Sequence, residues 1–166
     1  MKRRFGRWAL VYAGGTAVVA ACSGVIWNRS VVLPSYQIGE DFRARISEAG
    51  LSQIPAIDVH FALIGAIAGV ILGTGAFFLF REWGWPATAM AGFGSGLAGV
   101  MARIIAEFIG PREFQVRVAQ ATQGELVQVD FAAHSWIPLA VWVGTAMVPV
   151  IIGSVVWRPA RVESDE

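Results

Sequence analysis

The sequence predicts an all-α membrane protein. It has four transmembrane helices, cytoplasmic N- and C-termini, and a small extracytoplasmic β-hairpin or sheet made from its two long loops. Three observations predict this. The run from Phe61 to Phe80 carries no charged residue, and as a helix of about 20 residues it covers about 30 Å, the thickness of a bilayer's hydrocarbon core. The 166-residue chain is 55% hydrophobic and only 15% charged, where a soluble domain carries about 25% charged residues. Its mean hydropathy is +0.57. Finally, six of its seven tryptophans fall at the ends of apolar runs, as an interfacial aromatic belt requires.

The whole chain reads as one membrane domain, 1–166. Its first span runs from Trp8 to Trp27, the second from about Phe61 to Phe80, the third from about Pro86 to Ile109, and the fourth from about Trp136 to Trp157. Backbone groups in lipid must bond one another, so each span is expected to be a helix. Lys2, Arg3, Arg4 and Arg7 precede the first span, and Arg158 and Arg161 follow the last. Positive charge on the cytoplasmic side then puts both termini and the short link Arg81 to Pro86 inside. The links at about 28–59 and 110–135 fall outside, where Arg29, Arg43, Arg45, Arg112 and Arg117 are diluted and offset by acidic residues. In this scheme Trp8, Trp83, Trp85 and Trp157 lie at the inner interface, Trp27 and Trp136 at the outer one, and Trp142 within a span.

The outer links have patterns of their own. Phe114, Val116 and Val118 alternate with polar residues over 113–120, and Val127, Val129 and Phe131 alternate over 126–131. With Gly124 to turn between them, the two segments read as a β-hairpin. Residues 41–48 alternate as well and read as a third strand, with one helix ended by Gly50 as the alternative. An isolated hairpin is marginal in water, so the two links are expected to join in one sheet.

Helix packing is the first candidate role. Gly65, Gly69 and Gly73 are spaced by four and share one helix face. Gly92, Gly96 and Gly99 mark the third span, and Ala13, Ala17, Ala21 and Gly24 the first. Small faces let helices approach closely, either within this chain or against another subunit. The groove of the second span is expected to be filled by the glycine face of the third or the alanine face of the first.

Arg103 and Glu107 form the sharper feature, lying one turn apart near the end of the third span. Charges at that depth face protein or water. The pair is either an ion-binding or partner site, or two residues that snorkel to the interface beside Gly110 and Pro111. Asp58, His60, Asp130 and His134 are of metal-binding type, but their spacing matches no metal motif, and interfacial polarity accounts for them. Pro149 deprives the carbonyl of Thr145 of its helical donor and predicts a kink. Val19-Ala-Ala-Cys22 after a basic start resembles a bacterial lipoprotein signal, which would lipidate Cys22 and remove residues 1–21. Against it, the apolar run continues through Val25, Ile26 and Trp27.

One cysteine excludes a disulfide framework, and a net charge of +1 gives no basis for nucleic-acid binding. No Ser-His-Asp order, phosphate loop or carboxylate pair points to catalysis, and no cofactor is indicated. The stretch Asp58 to Gly65, the two glycine-rich spans, the Arg81 link and the Val127 to Asp130 junction resemble a family of small actinobacterial four-span membrane proteins of unknown function. The likeness covers about residues 40–155. It implies a plasma-membrane location and transfers no catalytic residue. The sequence therefore leads to a non-enzymatic accessory or structural subunit, with the lipid bilayer and other membrane subunits as partners. A small oligomeric transporter or channel is the alternative, and an outer-face enzyme using His60 and His134 a third possibility.

Overall fold

The computed structural model describes residues 2–40 and 43–157. Asp41 and Phe42 of the expected strand, and Arg158 and Arg161 of the orientation argument, lie outside the described residues. Four helices are long and apolar enough to cross a membrane: α1 (Lys2–Ser30), α2 (Glu48–Phe80), α3 (Trp85–Ile109) and α5 (Ile137–Val156). A short helix α4 (Phe114–Gln120) and the strands β1 (Ser35–Ile38), β2 (Ala44–Ile46) and β3 (Leu126–Gln128) complete the described elements.

Successive long helices run antiparallel. The start of α1 meets the end of α2, where the rings of Phe5 and Phe80 lie 5.4 Å apart. The end of α1 meets α3 through Asn28, whose Nδ2 donates to the carbonyl of Ala106 at 3.1 Å. Both α1 and α5 pack on α2 and α3, so the α2–α3 pair lies between them. One end of the bundle carries the 3-10 turn Arg81–Trp83, and the other carries the sheet.

The second helix begins at Glu48 rather than Phe61. Ser47 caps it by accepting from the Gly50 N–H at 3.1 Å, and Glu48 complements the positive end of its dipole. At 33 residues it is about 50 Å long, more than the roughly 30 Å thickness of a hydrocarbon core. Pro55 sits inside the stretch before Phe61. At the other end Gly84 turns the chain into α3 with φ +74°, a conformation that a side chain would strain.

The sheet differs from the expected hairpin. Its order is β2-β1-β3, both pairings antiparallel, with Tyr36 opposite Ile46 on one side and Val127 on the other. Of the strand expected over 41–48, Ala44–Ile46 form β2 while Ser47 caps α2 and Glu48 begins it, and the expected junction of the two links is made by β1. The segment 113–120 is not a strand but α4. A helical period puts Phe114, Arg117, Val118 and Ala121 on its half-buried side, while Val116 is exposed. The Asp130 carboxylate accepts from the Phe114 N–H at 2.9 Å and from Arg117 at 3.0 Å, fixing the helix start.

Trp27 is buried within the bundle. Its Nε1 donates to the carbonyl of Ile57 at 3.0 Å, and its ring meets Phe61 at 4.5 Å and Phe131 at 4.7 Å. Trp142 is fully buried as well and donates to the Phe61 carbonyl at 3.3 Å. Trp85, Trp136 and Trp157 stay exposed at helix ends.

Candidate functional site

Gly65, Gly69 and Gly73 of α2 and Gly92, Gly96 and Gly99 of α3 face one partner, whereas Gly94 of α3 packs against the Tyr12 ring of α1. A Cβ at Gly65 would overlap the Trp142 indole, one at Gly69 the Thr145 hydroxyl, and one at Gly73 the Ala146 carbonyl. On α3, a Cβ at Gly99 would meet Leu139 at 2.5 Å, one at Gly92 would meet Met147 at 3.1 Å, and one at Gly96 would touch Val143 at 3.5 Å. Apart from Tyr12, all of these neighbours belong to α5. The groove of α2 is thus filled by α5, not by the third span or the first, and α5 lies in a trough walled by small residues from two helices. Ser95 of α3 locks it there by donating to the Trp142 carbonyl at 2.8 Å. The indole of Trp142 needs the volume that only missing side chains leave, which is why the fourth span takes this place.

The small face of α1 behaves differently. Ala13, Ala17 and Ala21 are exposed, and a Cβ at Gly14 or Gly15 would touch nothing within 4 Å. Instead α1 buries Tyr12, Thr16, Ala20 and Trp27. Polarity decides this. The Tyr12 hydroxyl donates to the Leu72 carbonyl at 3.3 Å, a partner that lipid does not offer. Gly24 does pack, with a Cβ there 2.7 Å from the Ala102 carbonyl of α3.

At the sheet end, Arg103 and Glu107 are joined with an Nε–Oε1 distance of 2.8 Å and side chains 17% and 28% exposed. Both also hold the link before α5. Arg103 donates to the Ala133 carbonyl at 3.0 Å, and the Ala133 N–H donates to Glu107 at 3.2 Å. The Arg103 guanidinium lies 4.2 Å from the Trp136 ring. The pair therefore clamps residues 133–136 onto α3. Asp58 adds a second tie from α2, accepting from the His134 N–H at 3.0 Å. His60 places Nδ1 2.7 Å from the Ala56 carbonyl of its own helix, and Asp130 is engaged by α4. Among the described residues, no group of three or more His, Cys, Asp and Glu side chains is placed to hold a metal. In the turn before β3, the main-chain N–H and hydroxyl of Thr122 hold the exposed Glu125 carboxyl below its ordinary value.

The other end holds a groove of about 680 Å³ between the end of α2, the start of α3 and the end of α5. Phe77, Val150 and Gly153 form its apolar floor, and Arg81, Thr88 and Trp157 border its mouth. The Arg81 guanidinium lies 4.5 Å from the Trp157 ring, while Glu82 is 3.7 Å from Arg4. Comparison with family models, curated proteins and solved structures finds no match. Nothing local in the sequence marks the Arg81 groove, because its two sides lie more than sixty residues apart. The pairing of Arg81 with Trp157, each at a helix end, is the signal that would have exposed it. The pocket beneath Trp142 was equally hidden, although the glycine spacing marked its position.

Proposed function

We propose that this chain is a multi-pass protein of a bacterial plasma membrane, a non-enzymatic accessory subunit that packs against a larger membrane complex. The turn end is cytoplasmic in this reading, on the strength of Lys2, Arg3, Arg4 and Arg7. The bacterial setting rests on the sequence resemblance. The observation that carries the subunit role is the outward face of α1. There Ala13, Gly14, Ala17 and Ala21 remain exposed, whereas Gly65, Gly69, Gly73, Gly92, Gly96 and Gly99 are already occupied by α5. Small residues on a lipid-facing surface gain little from lipid and allow close approach of a second helix. The clamped sheet end supplies a rigid polar platform beside that face.

Transport by an oligomer has less support. Arg103, its main candidate, is engaged by Glu107, Ala133 and Trp136, and large side chains such as Trp27, Phe61, Phe80 and Trp142 fill the bundle interior. Native purification in mild detergent followed by mass spectrometry tests the reading. A different membrane protein is expected at fixed stoichiometry, and Ala17→Trp should reduce its recovery. Recovery only as a free monomer would refute the subunit role, and recovery only as a homo-oligomer would favour the transporter.

A further inference from the structure

Neither the internal helix packing nor the α1 face uses the groove at the turn end. Its floor is apolar because Gly153 brings the Phe77 ring against the α5 backbone: a Cβ at residue 153 would stand 2.5 Å from that ring. Above the floor sits Arg81, stacked on Trp157 at 4.5 Å with Phe78 at 6.0 Å. Stacking leaves the in-plane N–H donors of a guanidinium free. No carboxylate among the described residues pairs with Arg81. Glu82 also lines the groove, and its charge is met by Arg4 at 3.7 Å, which leaves Arg81 as the cation over the floor. Thr88 adds an exposed hydroxyl at the mouth. Arg4 and Arg7, near the start of α1, belong to the same end and reinforce its positive charge.

We infer that this groove holds an anionic phospholipid, with its phosphate on Arg81 and Thr88 and an acyl chain along Phe77 and Val150. The argument is charge complementarity above an apolar slot. Phe78 and Val155, next in sequence to the lining residues Phe77 and Ser154, are 60% and 62% exposed and offer apolar surface beside the slot. A free phosphate would satisfy Arg81 and leave the floor uncovered. Exposed Trp85 and Trp157 frame the mouth, at the level where such rings meet headgroups. This inference rests on the membrane-spanning reading.

The test is lipid retention by the purified, delipidated full chain, titrated with phosphatidylglycerol or phosphatidylcholine and read by native mass spectrometry. Phosphatidylglycerol should be retained in preference. Arg81→Ala should weaken its retention about fivefold, the effect of about one basic residue at an anionic surface. Thr88→Trp, which fills the mouth from an exposed position, should weaken it comparably. Arg81→Lys should retain the preference, and so should Arg112→Ala, which removes an arginine near Phe108 at the opposite end. Equal retention of the two lipids, or wild-type retention by both Arg81→Ala and Thr88→Trp, would overturn the inference. So would displacement by millimolar glycerol phosphate, which would assign the site to a soluble phosphate. Carbonate extraction of membranes separates the two levels. Release of the chain would refute the membrane-spanning reading itself, whereas an integral chain without lipid preference would refute the lipid site alone.

Discussion

Replacing Gly65 by alanine puts one methyl group where the Trp142 indole lies. The indole has little room to retreat. It is fully buried, it donates to Phe61 at 3.3 Å, and Gly99 of α3 backs it on the other side, where a Cβ would come within 3.1 Å of the ring. Overpacking a well-filled core costs about 1–3 kcal/mol, and a displaced indole N–H loses about 1 kcal/mol of hydrogen bonding. The sum is about 2–4 kcal/mol. For a chain of this size it lowers the midpoint of thermal unfolding by about 4–16 °C. Gly14→Ala is the matched control, because nothing lies within 4 Å of the added carbon; there the better helix propensity of alanine leaves stability unchanged or slightly raised. Thermal melting of both variants and wild type in one mild detergent, at one scan rate, reads the difference. Equal midpoints for Gly65→Ala and wild type would refute the claim that α2 and α5 meet through an indole seated on a missing side chain.

Three further perturbations follow from the same contacts. Arg103→Ala should leave the Ala133 carbonyl and the Glu107 carboxylate short of a partner, at a cost of about 1–3 kcal/mol; faster protease cleavage within 131–136 would report it, and unchanged cleavage and melting would count against the clamp. The lowered pKa of Glu125 means that its contribution to the turn is present above the ordinary value of 4.5 and is lost as pH falls through the lower folded value. An NMR titration should place its midpoint below 4.5, and Thr122→Ala should raise it by removing the hydroxyl; a wild-type midpoint at or above that value would refute the turn geometry. Intact mass of the membrane-extracted protein should retain residues 1–21 with Cys22 free of lipid, because Tyr12, Thr16 and Ala20 are core residues; a mass matching a lipidated chain starting at Cys22 would overturn this.

The four long apolar helices were legible because their length and lack of charge are recorded in composition alone, as the solvent demands of a bilayer would require. What stayed hidden depends on contacts between distant residues. Alternation over 113–120 suggests a strand, yet Asp130 supplies a cap and an ion pair that favour a helix, and a local pattern cannot register a carboxylate sixteen positions away. The extension of α2 before Phe61 was masked by its charges and by Pro55. Glycine spacing correctly marked where a helix comes close, but glycine has no side chain with which to choose its neighbour. The choice was made by Trp142, whose size suits the gap. Arg103 and Glu107 were identifiable as a pair, while their third and fourth partners are main-chain groups and leave no trace in composition.

The trough that receives α5 has a consequence for biogenesis. Its walls are made before its occupant, since α2 and α3 leave the ribosome ahead of residues 137–156. At about 5–20 residues per second, synthesis of those 20 residues takes about 1–4 s. In the membrane-spanning reading proposed above, two glycine-lined surfaces then face lipid, or any insertion factor, throughout that interval without the indole that later fills them. The order of synthesis thus makes α5 the closing element. We expect a chain stopped at residue 136 to be turned over rapidly or captured by the insertion machinery, and pulse-labelling against the full chain measures it. Equal lifetimes would mean that α1, α2 and α3 persist as a unit on their own.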